Sequence, residues 1–183
     1  MKLKIIGFCG SATAGKTTAA NALVEALGYH KLSFAAPLRA MLRALGVTDE
    51  QMSAGKNAPI PWLGGKTPRE LMQTIGTEWG RKMVSECIWL DATSRIILGL
   101  PSDVPGVVFD DVRFDNEAKM LRDLGGVIIR IERPSITVRM THESEAGISG
   151  HLLDYVLVND AQSEEGFKSQ ATCLCQYPTF GVH

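Results

Sequence analysis

The sequence predicts an α/β protein in which a parallel sheet is flanked by helices. Three observations point there. Apolar, strand-like runs alternate with amphipathic helical stretches, the pattern of parallel strands joined by helical crossovers. The first run passes directly into Gly10-Ser11-Ala12-Thr13-Ala14-Gly15-Lys16-Thr17, a phosphate-loop pattern set between a strand and a helix. A later run, Gly106-Val107-Val108-Phe109, ends in Asp110 and Asp111, and sheets of this kind bind ligands at the carboxyl ends of their strands. Together these specify a P-loop NTPase fold, with a helical insertion and a short lid.

At 183 residues the chain suits a single domain spanning 1–183, with core strands at about 3–8, 29–34, 106–111, 127–131 and 155–158. Leu3 to Phe8 reads as a buried strand. After the loop, Ala20, Leu23, Val24 and Leu27 recur at helical spacing and Gly28 stops the helix. Tyr29 to Phe34 reads as a second strand, and Pro37 opens a helix carrying Leu38, Met41, Leu42 and Leu45 up to Gly46. Residues 47–66, rich in glycine and proline, read as an irregular insertion of the kind functional loops use, within a segment from about 47 to 100 expected as the insertion. Thr67-Pro68-Arg69-Glu70 combines an N-cap threonine, a proline at the first helical position and a glutamate three residues after the cap, so a helix starts there. Another helix runs from Ile88 to Leu98. After the acidic strand end, Phe114, Ala118, Leu121 and Leu124 mark a helix stopped by Gly125-Gly126. Val127 to Ile131 and Tyr155 to Val158 are the last strands, separated by a charged lid segment at about 133–150, and a polar helix starts near Ser163.

Composition narrows the class without naming a partner. Nineteen basic residues against 20 acidic ones give a net charge of −1, so no bulk attraction to nucleic acid or an anionic membrane follows. The start shows no signal-peptide cleavage pattern, and no segment is long and apolar enough to span a bilayer, so a cytoplasmic setting is expected. Cys9, Cys87, Cys173 and Cys175 lack zinc-site spacing and read as reduced thiols.

The loop glycines let successive N–H groups and the helix N-terminus face a phosphate, while Lys16 offers charge to the β- and γ-phosphates and Thr17 its hydroxyl to Mg²⁺. The strand-end carboxylates are placed to organise the same ion, Asp111 being the first choice and Asp110 the alternate. Arg113 lies two residues on and is expected to neutralise a transferring or accepting phosphate. Asp115 and Glu117 read as helix caps. On the capped helix Arg69, Gln73 and Thr77 recur every four residues with Gly76 and Gly80 on nearly the same face, opposite a packing stripe of Leu71, Ile75, Trp79 and Met83. Trp79 therefore reads as core. Arg133 and Arg139 sit where a closing cover would bring charge to the equatorial oxygens, and His142 reads as a loop hydrogen-bonder.

Beyond the loop, the chain resembles the bacteriophage deoxynucleoside monophosphate kinases, within the wider P-loop nucleoside monophosphate kinase group. The resemblance rests on residues 33–39 (SFAAPLR), 67–81 (TPRELMQTIGTEWGR), 111–118 (DVRFDNEA) and 142–145 (HESE). It implies transfer of the ATP γ-phosphate to a deoxynucleoside 5′-monophosphate, with Mg²⁺, in supply of DNA precursors; for a viral protein the setting would be the host cytoplasm. By position, Gly10 to Thr18, including Thr18 itself, would hold ATP. Arg39, Arg69, Gln73, Thr77 and Arg113 would surround the acceptor, and Lys16, Asp111, Arg113, Arg133 and Arg139 would serve transfer. Members of the family can dimerise. The rival readings are another small-molecule kinase, such as one acting on dephospho-coenzyme A, and a nucleotide-switched binding protein. A guanine-nucleotide switch would carry Asn-Lys-x-Asp, which Asn159-Asp160 is not.

Overall fold

The computed structural model describes residues 3–134, 147–160 and 163–176. The chain divides into two compact units, one built from Met1–Ser33 with Gly99–His183 and the other from Phe34–Leu98.

The first unit holds the sheet. Strands β1 (Lys4–Cys9), β2 (His30–Leu32), β3 (Gly106–Phe109), β4 (Val127–Glu132) and β5 (Tyr155–Val158) are all parallel and stand in the order β2-β3-β1-β4-β5. Helices α1 (Lys16–Leu27), α6 (Asp115–Asp123) and α7 (Glu164–Gln176) cover it. Alternation along the strands sorts the core into two layers. Ile6, Phe8, Val108, Ile129 and Ile131 join Ala19, Ala20 and Leu23 of α1 and Phe167, Ala171 and Cys175 of α7. The intervening positions face the other way: a Cβ on Gly7 would lie 2.9 Å from Leu121 of α6 and 2.9 Å from Ile128. Buried on both faces, β1 and β3 are almost wholly apolar, as central parallel strands must be. The second strand is shorter than the sequence suggests: at the sheet edge it pairs only with β3, over His30–Leu32.

The second unit is helical: α2 (Ala36–Ala44), α3 (Asp49–Met52), α4 (Pro68–Gln73) and α5 (Ile88–Leu98). Its core gathers Leu42, Val47, Met52 and Ile60, with Leu63, Leu71, Met72 and Ile75 against them. The stretch 47–66, expected to be irregular, is in fact organised. Thr48 and Gln51 form a reciprocal capping box on α3, and Ile60 N donates to Lys66 O at 2.9 Å across the Pro61–Leu63 turn. On α4 the cap is as expected: Thr67 accepts from Glu70 N at 3.2 Å and Glu70 accepts from Thr67 N at 2.8 Å. Those bonds draw the Glu70 carboxyl below its usual range.

From Thr74 to Val84 the same helix continues as a π-helix. The wider turn carries a 3.6-residue stripe off its face, and the expected packing stripe breaks down for that reason. Thr77, Gly76 and Gly80 are buried, whereas Trp79 and Met83 of the supposed packing stripe are 38% and 77% exposed. The buried tryptophan is Trp89 of α5, whose Nε1 donates to Gly76 O at 2.8 Å. Its ring lies so close that a Cβ on Gly80 would meet it at 2.5 Å.

Candidate active site

The loop leaves β1 at Cys9 and enters α1 at Lys16. Gly10, Thr13 and Gly15 take positive φ values of 124°, 65° and 113°. Gly10 admits no side chain, because a Cβ there would stand 2.2 Å from Ile131 O. Thr13 holds a left-handed backbone at a cost of order 1 kcal/mol, strain of a kind that collects at ligand-binding loops. No side chain caps α1, so its first N–H groups and the positive end of its dipole remain for an anion.

Lys16 folds back over the loop, donating from Nζ to Gly10 O at 2.8 Å and Ser11 O at 2.6 Å. Burial pushes it down to about 8, and the nearby Arg113 guanidinium pushes the same way against the pull of Asp110, Cys9 and Asp111. A lysine so placed is short of negative charge, which a phosphate supplies. Cys9 beneath it is buried and its thiol is pushed up to about 11, mainly by burial; it packs rather than reacts.

The two strand-end carboxylates part company. Asp110 Oδ2 accepts from Thr17 Oγ1 at 2.8 Å and pairs with Lys31 Nζ at 2.7 Å. Asp111, the first choice for the ion, instead accepts from Ser33 Oγ at 2.6 Å through its Oδ2. Thus it is the alternate, Asp110, that the fold joins to Thr17. A hydroxyl and a carboxylate in mutual contact are hard oxygen donors suited to Mg²⁺, which takes few protein ligands and fills its octahedron with water and phosphate oxygens. Among the described residues no group of three or more His, Cys, Asp or Glu side chains forms a cage for a metal ion.

Arg113 is exposed and shares its segment with a cap: Glu117, buried, accepts from Arg113 N at 2.7 Å and Phe114 N at 3.2 Å. Asp115 accepts from the backbone and hydroxyl of Ser149, which lowers its carboxyl. Arg133 is exposed just past β4, while Arg130 within β4 donates to Ile148 O at 2.7 Å. Arg139 and His142 lie outside the described residues.

The remaining candidates belong to the second unit. Arg39 stands on α2 with its Nε buried and without a hydrogen-bond partner among the described residues. Arg69 and Gln73 are half-buried on α4, and Thr77 is buried on its π continuation.

Three residues to which the sequence reading gives no role in the site are held there by the fold: Lys31, Ser33 and Asn159. Asn159 Nδ2 donates to Ala14 O at 2.8 Å, while its backbone N–H bonds Glu132 O at 2.6 Å, so the end of β5 holds the loop to the sheet. A polar residue directly after a short apolar strand, on the loop side of the sheet, was the available signal.

Residues 65–169 match the profile of the family described as deoxynucleotide monophosphate kinase. A protein of Acanthamoeba polyphaga mimivirus, bearing a provisional deoxynucleotide monophosphate kinase name, is 33% identical over 193 aligned positions that cover 93% of this chain and 95% of that one. The deoxynucleoside-5′-monophosphate kinase of Escherichia phage T5 is 32% identical over 116 residues, 60% of this chain and 46% of the phage protein. Among solved structures, a Thermus thermophilus protein superposes with a TM-score of 0.52 at 19% identity, over 95% of this chain and 97% of its own; that likeness concerns the fold alone.

Proposed function

The chain belongs to the deoxynucleotide monophosphate kinase family, and from that premise we propose that it moves the γ-phosphate of ATP onto the 5′-phosphate of a deoxynucleoside monophosphate, yielding the diphosphate and ADP. The observation that carries the reading is the cluster at the heads of β1 and β3: a strained loop with an uncapped helix behind it, a charge-starved Lys16, and Thr17 bonded to Asp110.

In this reading an oxygen of the acceptor phosphate forms the new bond to the γ-phosphorus, in line, as the bond to the β,γ-bridging oxygen breaks. The acceptor is already ionised near neutral pH, so no general base is required. The protein's work is positioning and charge. Lys16 exchanges its two loop carbonyls for phosphate oxygens, and the N–H groups of residues 10–18 close around the β-phosphate. Thr17 and Asp110 would hold Mg²⁺, with Asp111 next to them in the chain, and the ion would supply charge to neutralise the β- and γ-phosphates. Arg113, close enough to Lys16 to depress its pKa, serves the transferring group. Arg133 and Arg139 are assigned to the lid. On the acceptor side, Arg39 has a buried N–H with no partner among the described residues, a cost of about 1–3 kcal/mol that an anionic ligand would relieve, and Arg69, Gln73 and Thr77 complete the set. The chemistry involves ATP and a nucleotide and calls on neither nucleic acid nor membrane; no helix among the described residues is long and apolar enough to cross one.

The deciding experiment is an acceptor panel. Purified protein with Mg·ATP should form the diphosphate from at least one of the four common deoxynucleoside monophosphates. Intact ATP binding with no diphosphate from any of them would overturn the proposal.

A further inference from the structure

Lys31 has no place in the transfer scheme, yet it is bonded into the centre of it. Its register partner in the sheet is Val108, so it projects from β2 toward the face occupied by α1. There its ammonium reaches Asp110 Oδ2 at 2.7 Å and also donates to Asn21 Oδ1 of α1 at 3.2 Å. The oxygen it holds is the one that accepts from Thr17 at 2.8 Å. A single carboxylate oxygen therefore receives a hydroxyl and an ammonium at once. The side chains are 31% exposed for Lys31 and 13% for Asp110, so the pair is partly withdrawn from screening solvent.

We propose that Lys31 is a place-holding cation: in the nucleotide-free protein it neutralises Asp110 and so keeps a divalent ion from settling there before the nucleotide arrives. This rests on the reading of Thr17 and Asp110 as the metal-organising pair. An ammonium and a dication at one carboxylate oxygen repel each other, so a metal can take that oxygen only when further negative charge offsets the repulsion. The triphosphate brings that charge. Metal binding is thereby tied to nucleotide binding, and Asn21 gives the displaced ammonium a second acceptor on the same face. Lys31 acts through Asp110 and is a positioning residue.

The test is direct metal binding, read by the electron paramagnetic resonance of free Mn²⁺, without and with a non-hydrolysable ATP analogue. Wild type, Lys31→Met, Lys31→Arg, Asp110→Asn and the Lys31→Met/Asp110→Asn double variant are compared after thermal melts establish that each is folded. Lys31→Met should bind Mn²⁺ without nucleotide on the order of tenfold more tightly than wild type, the scale on which outer-shell partners tune metal affinity. Its affinity with the analogue should change much less. Lys31→Arg, which keeps the cation, should behave as wild type, and the double variant should lose the gain. Equal nucleotide-free Mn²⁺ affinity in wild type and Lys31→Met, with Asp110→Asn still weakening metal binding in the presence of the analogue, would overturn the role of Lys31 while leaving the Asp110 reading intact. An Asp110→Asn variant that binds Mn²⁺ as wild type does with the analogue would overturn both. A Lys31→Met that melts lower but gains no metal affinity also refutes the proposal, since a purely structural lysine would give that result. Lys31→Gln provides the same measurement should the methionine variant not fold.

Discussion

Nucleotide binding should draw a proton onto Lys16. In the free protein this lysine is pushed down to about 8 from an ordinary 10.5, chiefly by burial and then by Arg113. A triphosphate replaces the missing counter-charge, so in the complex the lysine returns to its ordinary value or above. The difference of about 2.5 units corresponds to coupling of about 3 kcal/mol between proton and nucleotide. At pH 9 roughly nine tenths of Lys16 is neutral before binding, so close to one proton should be taken up per ATP bound; at pH 7 roughly a tenth should be. Affinity should hold steady below pH 8 and then weaken toward tenfold per pH unit, a range in which the ATP phosphates are already ionised. Isothermal titration calorimetry at pH 9 in buffers of different ionisation enthalpy measures the uptake. Lys16→Arg, which stays charged throughout, serves as the control and should show none of it. Equal proton uptake in wild type and Lys16→Arg, or none in either, would refute the argument. The sign carries over to stability. Since the folded pKa lies below the unfolded one, the unfolded chain holds more protons between pH 8 and 10.5, and this group's contribution to stability rises with pH across that window and is least favourable below it.

Asp110→Asn should raise the Mg²⁺ concentration needed for half-maximal rate on the order of 10–100-fold, with a smaller effect from Asp111→Asn, as a magnesium titration at saturating ATP would reveal. Arg69→Ala should raise the acceptor KM far more than the ATP KM; equal effects would contradict its placement on the acceptor side. Gly10→Ala should destabilise by more than about 1 kcal/mol in urea unfolding and weaken ATP binding, because φ is 124° and the added Cβ meets Ile131 O. Trp89→Phe should cost about 1–3 kcal/mol in the same assay by leaving Gly76 O without the indole donor.

Features written in short-range chemistry were legible in the sequence. The loop, the Thr67 capping box, the stops at Gly28 and Gly125 and the central strands all depend on neighbours a few residues apart, and the structure has them where that chemistry requires. The small helix at Asp49–Met52 used the same signal, since Thr48 and Gln51 repeat the spacing of Thr67 and Glu70, but the surrounding glycines and prolines masked it. The π segment could not be read that way. Trp89 lies against its Gly80 and bonds its Gly76 O, contacts that arrive from another helix, and a stripe drawn at 3.6 residues per turn has no access to them.

The exchange of Asp110 for Asp111 shows a third case, in which the information was present but needed the topology to decode. Two adjacent carboxylates at a strand end point to opposite faces of a sheet, so only one of them can meet the phosphate loop. In the register, Val108 pairs with Ile6, and both lie in the layer that packs against α1. Carrying that alternation two residues beyond Val108 sends Asp110 to the side where α1 begins with Lys16 and Thr17, while Asp111, of opposite parity, bonds Ser33 beyond the end of β2. Spacing from the loop, the criterion available in the bare sequence, cannot separate neighbours one residue apart. Parity relative to β1 can, and it gives the same answer for Lys31, whose register partner is also Val108. The carboxylate proposed to serve the ion and the lysine proposed to guard it are thus selected by a single geometric rule: which face of β3 and β2 looks toward the helix that follows the loop.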